Sequence, residues 1–256
     1  MSTIVSIVRY PIKGMSGEHI KSVALRSGEV ISGDREFAFA RPGILFDEKK
    51  PVYMNKSNFL ALFRDEKLAT LETSFEPLKK ILSIHKNNKL LFKANLSNGD
   101  ECDLLSEFVR KQLNIPIDKP PKLVRAKGGT KSHSFSDVPD KALSLINLAS
   151  IREFGEKIGK KIDPLRFRAN INIECTAAWR EFDWIGHDLS IGEVLINVFK
   201  PTIRCAATTV NPKTAVRDIN IPRELLKNYN HMDMGVYAKV IEGGSIKVGD
   251  QLKLIG

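Results

Sequence analysis

The chain of 256 residues is 42% hydrophobic and 27% charged, and 40 Lys and Arg against 30 Asp and Glu give it a formal net charge of +10. That length and apolar content support one large or two small globular domains and exclude a disordered chain. No run approaches about 18 uninterrupted apolar residues, and Met1 to Arg9 leads straight into a strand pattern instead of a signal peptide, so a soluble, cytoplasmic protein with no membrane partner is expected.

In chain order, the first hundred residues read mostly as strands. Ile4, Val5, Ile7 and Val8 lie between Thr3 and Tyr10, Ile20 to Leu25 partly alternates, and Phe37 and Phe39 alternate within Arg35 to Ala40. Gly33-Asp34 and Arg41-Pro-Gly43 punctuate them, and short strands with such turns favour an antiparallel barrel or sandwich. The spacing predicts a helix over Asp103 to Asn114, with Leu104, Leu105, Phe108, Val109 and Leu113 on one stripe and Asp103 as cap. Pro116 to Pro121 reads as a linker, which places a domain boundary between residues 1–115 and 122–256. A second helix is predicted from Asn147 to Ile158, where Leu148, Ile151, Phe154 and Ile158 recur at helical spacing and Asn147 can serve as N-cap. Strands dominate the rest, apart from a short helix opened by Pro222. The fold class is mainly β (α+β) with a few short helices.

The positive charge favours an anionic partner: nucleic acid, an acidic electron-transfer protein or a phosphorylated cofactor. No recognition helix, finger or ribonucleoprotein motif is seen, which leaves nucleic acid a minor alternative. Cys102, Cys175 and Cys205 form no Cys-x-x-Cys pair, so this chain alone assembles neither a structural zinc site nor an iron–sulfur cluster. Five histidines, His19, His85, His133, His187 and His231, lack metal-ligand spacing. Gly128-Gly-Thr-Lys-Ser132 does not meet the phosphate-loop order and reads as a basic loop. His133-Ser-Phe-Ser-Asp137 and His231-Met-Asp233 are candidate borders of a site, while Trp179 and Trp184 read as packing residues.

The segment Pro201-Thr-Ile-Arg-Cys205-Ala-Ala-Thr-Thr-Val-Asn-Pro212 sets a cysteine directly after an arginine. A guanidinium favours the thiolate, the form that attacks electrophiles and binds soft metals. Neighbours along a strand point to opposite faces, so the reading of Cys205 as a buried small hydrophobe stays open. Lys13, in Tyr10-Pro-Ile-Lys13-Gly, and Arg35, after Gly33-Asp34, sit at glycine turns where backbone can approach an anion; solvated turn charges are the alternative.

Cys205, Asp163-Pro-Leu-Arg-Phe-Arg168-Ala-Asn170, the Thr208 to Pro212 turn and the ending Gly235 to Asp250 together resemble a MOSC domain, the module named after the C-terminal part of molybdenum cofactor sulfurase. Tyr10-Pro-Ile-Lys13-Gly and Gly33-Asp-Arg35 resemble the N-terminal β-barrel that accompanies it in the mitochondrial amidoxime-reducing component and bacterial relatives. The resemblance implies an N-terminal β-barrel and a MOSC β-barrel domain, with parts of the first able to pack into one unit with the second. It implies a molybdenum cofactor (molybdopterin with Mo), its phosphate held by Lys13 and Arg35. Arg168 and Asn170 would face the cofactor, with Ala169 standing where the family has proline. Asn147 corresponds to a polar helix-start position near the cofactor, a plain N-cap being the alternative, and Cys205 would supply the metal's protein sulfur ligand. The implied activity is two-electron reduction of a small N-hydroxylated or N-oxide substrate. The ferredoxin-like C-terminal domain of some bacterial relatives is not seen, so electrons would come from a separate ferredoxin, flavodoxin or cytochrome. A sulfur carrier with a Cys205 persulfide and a non-catalytic cofactor-binding module are the alternatives.

Overall fold

A computed structural model describes residues 2–126 and 134–255. The apolar start of the chain forms β1 (Ser2–Arg9), which buries Ile4 and Ile7; a bulge between Ile4 and Ser6 adjusts the register so that both face the core. β2 (Glu18–Ile20) returns along the end of β1, β3 (Ser22–Leu25) follows, and β4 (Phe37–Ala40) is buried at every residue. β5 (Glu72–Glu76), β6 (Ile81–Lys86) and β7 (Lys89–Asn95) form a three-stranded antiparallel sheet. Asn87 and Asn88 join the last two, both at positive φ as a tight hairpin demands.

α1 (Gly99–Gln112) covers this sheet, placing Leu105 and Val109 in a core with Leu82, Ile84, Ile12 and Phe37. The helix begins earlier than the apolar stripe suggests. Asn98, not Asp103, is the N-cap, its Oδ1 accepting from the Asp100 and Glu101 amides, because the first turn is polar and the stripe starts only one turn later. Leu104, assigned to the stripe, is 60% exposed.

β8 (Lys122–Arg125) pairs with β4, and the segment 127–133, including the Gly128–Ser132 loop and His133, lies outside the described residues. β9 (Leu143–Asn147) is buried throughout; α2 (Leu148–Lys157) then crosses to β10 (Ile171–Cys175), parallel to β9, the crossover that a parallel pair requires. β11 (Asp188–Ile191), β12 (Val194–Ile203), α3 (Ile221–Tyr229), β13 (Asp233–Glu242), β14 (Gly244–Lys247) and β15 (Gln251–Leu254) complete the chain. α2 and α3 lie where the sequence pattern puts them, capped by Asn147 and Asn220.

The pairing order β10, β9, β13, β12, β11, β15, β1 returns through β1 onto β10, closing a seven-stranded barrel around Ile7, Leu145, Ile173, Ile196, Val236 and Leu252. The fold is mainly β, as expected. β1, from the start of the chain, is a stave of the barrel whose other strands come from residues 143–254, and β3 pairs with β14. β2 sits at the edge beside β1, and the other described N-terminal strands form the β4–β8 pair and the β5–β7 sheet, so closure belongs to the seven-strand set. Among the described residues no helix is long and apolar enough to cross a membrane.

Candidate functional site

Two turns at the end of β1 deliver the first cations. The Tyr10 amide donates to Asp34 Oδ1 at 2.8 Å and the Arg35 amide donates to the Tyr10 carbonyl at 2.6 Å, so the turns around Lys13 and Arg35 are clipped together. Gly14, at φ +85°, follows Lys13 because a Cβ there would stand 2.9 Å from Leu68 Cδ1 and 3.1 Å from the Ala61 and Leu60 backbone. Lys13 is buried, and its Nζ donates to Asp137 Oδ1 at 2.6 Å and to the Phe135 carbonyl at 3.0 Å. Burial pulls its pKa below the ordinary lysine value even though Asp137 opposes the shift. For Arg35 burial also works against the charge, but Asp34 outweighs it and holds the guanidinium pKa up. Its Nη2 donates to the Arg168 carbonyl at 2.9 Å.

The second half of the site hangs from a 3-10 turn, Pro164–Phe167, capped by Asp163, whose Oδ1 accepts from the Leu165 amide at 3.0 Å. The turn ends on Arg168 in the left-handed conformation (φ 54°). That unusual backbone turns the side chain back towards β1: Arg168 Nη1 donates to the Met15 carbonyl at 2.5 Å. The Tyr10 ring meets two guanidinium groups, 4.3 Å from Arg168 and 4.9 Å from Arg35, a double cation–π contact. Burial pushes the Tyr10 pKa up to about 12, so the phenol is neutral around neutral pH.

Arg204 and Cys205 follow β12, and the structure separates their roles. Arg204 turns into the protein, donating from Nε to the Met234 carbonyl at 2.7 Å and from Nη1 to the Phe167 carbonyl at 2.9 Å, while Cys205 is half-buried. Desolvation lowers the pKa of Arg168 and of Arg204 to about 10, which leaves both charged at neutral pH. The Lys56 ammonium lies beside Cys205 and Asp137; burial disfavours its charge, and the pull of those two groups outweighs that and raises its pKa.

These groups line one cavity of about 380 Å³. Lys13, Arg35, Arg168, Asn170 and Cys205 are all on its wall, together with the further cations Lys56, Arg166, Lys200 and Arg204. The single carboxylate among its described lining residues is Asp137. Several polar atoms here are buried without a protein partner: Arg168 Nη2, Arg204 Nη2, Arg166 Nε and Thr202 Oγ1. Unspent donors of that kind in a cation-rich cavity are the signature of a site for an anion. Among the described residues, no group of three or more His, Cys, Asp or Glu side chains gathers as a metal site.

Asn170 does double duty: Nδ2 donates to the Val8 carbonyl and Oδ1 accepts from the Ser144 amide, both at 3.2 Å, so it ties β1 to β9 while facing the cavity. Asn147 is not on the cavity wall. Its Oδ1 caps α2 through the Ala149 amide at 3.0 Å and its Nδ2 donates to buried Glu181 at 3.0 Å, the plain capping role. His231 also lies away from the wall, packed among Trp179, Phe182 and Tyr229, with Nδ1 accepting from the Asp233 amide at 3.1 Å. Trp184 is buried in the barrel core, and Trp179 donates from Nε1 to Glu153 at 2.9 Å. Nothing in the sequence around Lys56 marks it; it comes from a 3-10 turn, Lys56–Asn58, in a region without motifs. Tyr10 carried a signal, since it opens the Tyr-Pro-Ile-Lys turn, but only the fold brings its ring against two arginines.

Residues 130–253 match the family model of the MOSC domain, a stretch that holds Arg168, Asn170 and Cys205 but not Lys13 or Arg35. Mitochondrial amidoxime-reducing component 1 of Homo sapiens is 32% identical over 124 residues, which are 44% of this chain and 36% of that protein. Mitochondrial amidoxime reducing component 2 of Bos taurus is 33% identical over 118 residues, 41% of this chain and 34% of that protein. A molybdenum cofactor sulfurase of Drosophila mojavensis is 34% identical over 95 residues, 36% of this chain and 12% of that protein. The matched part of the chain thus spans 36% and 34% of the length of the two amidoxime-reducing components. Among solved structures, the YUAD protein of Bacillus subtilis aligns with a TM-score of 0.46 at 11% identity, covering 98% of this chain and 94% of that one.

Proposed function

Taking residues 130–253 as a MOSC domain, we propose that the chain holds a molybdenum cofactor in the cavity around Cys205 and serves in the cytoplasm as a reductase of small N-hydroxylated or N-oxide compounds, with electrons from a separate protein. The observation that carries this reading is the convergence of Lys13, Arg35, Arg168 and Arg204 on one cavity of about 380 Å³ with a half-buried thiol in its wall. The donor set fits such a group. Its phosphate needs cations, which Lys13 and Arg35 offer at glycine turns; its pterin edge needs polar groups, which Arg168 and Asn170 present; its metal needs a soft ligand, which is Cys205. Arg168 Nη2 and Arg204 Nη2, buried with no hydrogen-bond partner, are donors that suit an anionic group.

The chemistry that cofactor supplies when bound is the two-electron, two-proton removal of an oxygen atom from nitrogen as water. The chain's own part is binding and orientation. Arg35 is pinned by Asp34 and by the Arg168 carbonyl, and Arg168 by Met15 and the Tyr10 ring, so the cations are held in place before any ligand arrives. Lys56 keeps its positive charge beside Cys205 in the cavity wall.

Cys205→Ser is the direct test. Serine is close in size but a hard, poorly ionised oxygen, so reduction of a hydroxylamine or amidoxime with an artificial reductant such as reduced viologen should fall at least about a hundredfold while the thermal midpoint shifts by no more than about 2 °C. Undiminished turnover would remove Cys205 from the site. A persulfide on Cys205 in active, metal-free protein would establish the sulfur-carrier reading in its place.

A further inference from the structure

The cations of the cavity are not neutralised in the same way. Arg35 pairs with Asp34, Arg166 with Asp218 at 2.6 Å and Lys200 with Asp140 at 3.6 Å, and none of these three carboxylates lines the cavity. Each can stay paired while a ligand binds. Lys13 differs, since its carboxylate partner, Asp137 at 2.6 Å, is itself part of the cavity wall. The two side chains are also unequally exposed, 7% for Lys13 and 44% for Asp137. An ammonium buried to that degree needs a counter-ion, whereas a carboxylate that already meets water gives up little by turning fully into solvent.

We propose that Asp137 is the built-in occupant of the anion site: in the ligand-free protein its carboxylate neutralises Lys13, and it must leave Lys13 before the phosphate end of an incoming ligand can bind, so that it sets the affinity of the cavity for anions. The identity of that ligand rests on the cofactor reading above, but the exchange requires only an anion that Lys13 can hold. A phosphate monoester carries more charge and more acceptor oxygens than one carboxylate, so the exchange favours the ligand, and every complex formed bears the cost of displacing Asp137. The same field draws Asp137 to Lys56 and Arg35 as well as Lys13, and the pull of these cations holds its pKa below the ordinary carboxylate range.

The test uses sulfate, a tetrahedral dianion, titrated calorimetrically into cofactor-free protein at low salt. Asp137→Asn should bind sulfate about tenfold or more tightly than wild type, since it no longer competes with a full charge. Asp140→Asn removes the same charge from a carboxylate that is itself off the wall, paired with Lys239 at 2.8 Å and only loosely with Lys200 at 3.6 Å, and should change sulfate affinity by less than about threefold. In wild-type protein the carboxyl carbon resonance of Asp137 should move as sulfate saturates the site, a reading that does not depend on how the variant folds. Sulfate affinity equal to or weaker than wild type in Asp137→Asn, an Asp140→Asn effect as large, or an Asp137 resonance indifferent to sulfate would each overturn the proposal. The cofactor reading fails on a different measurement, the molybdenum and pterin content of the purified protein, so the two can fall separately.

Discussion

Tyr10 sits at the meeting point of the two turns and makes its contribution through its ring. The hydroxyl is buried with no partner, while the ring face meets Arg168 and Arg35 at 4.3 and 4.9 Å. Tyr10→Phe should therefore leave stability within about 1 kcal/mol of wild type or raise it, and Tyr10→Leu should cost about 2 to 4 kcal/mol in denaturant titrations. A larger loss in the phenylalanine variant would show that the hydroxyl has a partner. A second buried group, Glu181, accepts from Ser150 Oγ at 2.8 Å and Asn147 Nδ2 at 3.0 Å. Burial raises its pKa, and the hydrogen bonds from Ser150 and Asn147 recover only part of the shift. A carboxyl whose folded pKa exceeds its unfolded value contributes stability below the unfolded value, and that contribution is lost as pH rises through the folded one. Wild type should accordingly lose stability relative to Glu181→Gln between about pH 4 and neutrality. A stability difference that stays flat across that window would contradict the raised pKa.

At the scale of elements, β13 shows how the barrel serves the site. Gly235, at φ +75°, packs so closely that a Cβ would lie 2.4 Å from the Leu145 carbonyl oxygen and 3.0 Å from Arg204 Nη2. Gly235→Ala must both strain the backbone and push Arg204, so a loss of about 2 kcal/mol or more in stability and weaker anion binding are expected together. A variant with wild-type values for both would mean that β13 does not hold Arg204 in place. The apolar periodicity of α2 is legible in the sequence because the helix buries one face, and its cap, Asn147, is a polar residue at the expected offset; α3 is marked by Pro222 at its start. The start of α1 is not, since Gly99, Asp100 and Glu101 carry no apolar signal and Asn98 caps a turn that precedes the stripe. β7 escapes the sequence pattern for a similar reason: it is exposed or half-buried at all but one position, so little alternation survives.

At the scale of the whole molecule, the site exists because the ends of the chain meet. Lys13 and Arg35 come from turns after the first strand, Arg168 from the segment before β10 and Cys205 from the end of β12, and the β1–β10 pairing that closes the barrel brings them together. Motifs named those four and Asn170, which the cavity also unites. No motif names Lys56 or Arg166 as cavity cations, because their placement follows from packing between distant segments, whereas the cap that Asn147 gives α2 is a local contact that the sequence already offers. The central claim, that this cavity is built for a molybdenum cofactor, is tested most directly by the molybdenum and pterin content of protein purified from a cofactor-competent host, wild type beside the double variant Lys13→Ala, Arg35→Ala. The account predicts the two in equal amounts in wild type and a loss of at least about tenfold in the variant, with the fold retained, because each charge-assisted phosphate contact contributes about 1.5 to 3 kcal/mol. Wild-type protein free of both, or a double variant that keeps its full complement, would contradict it.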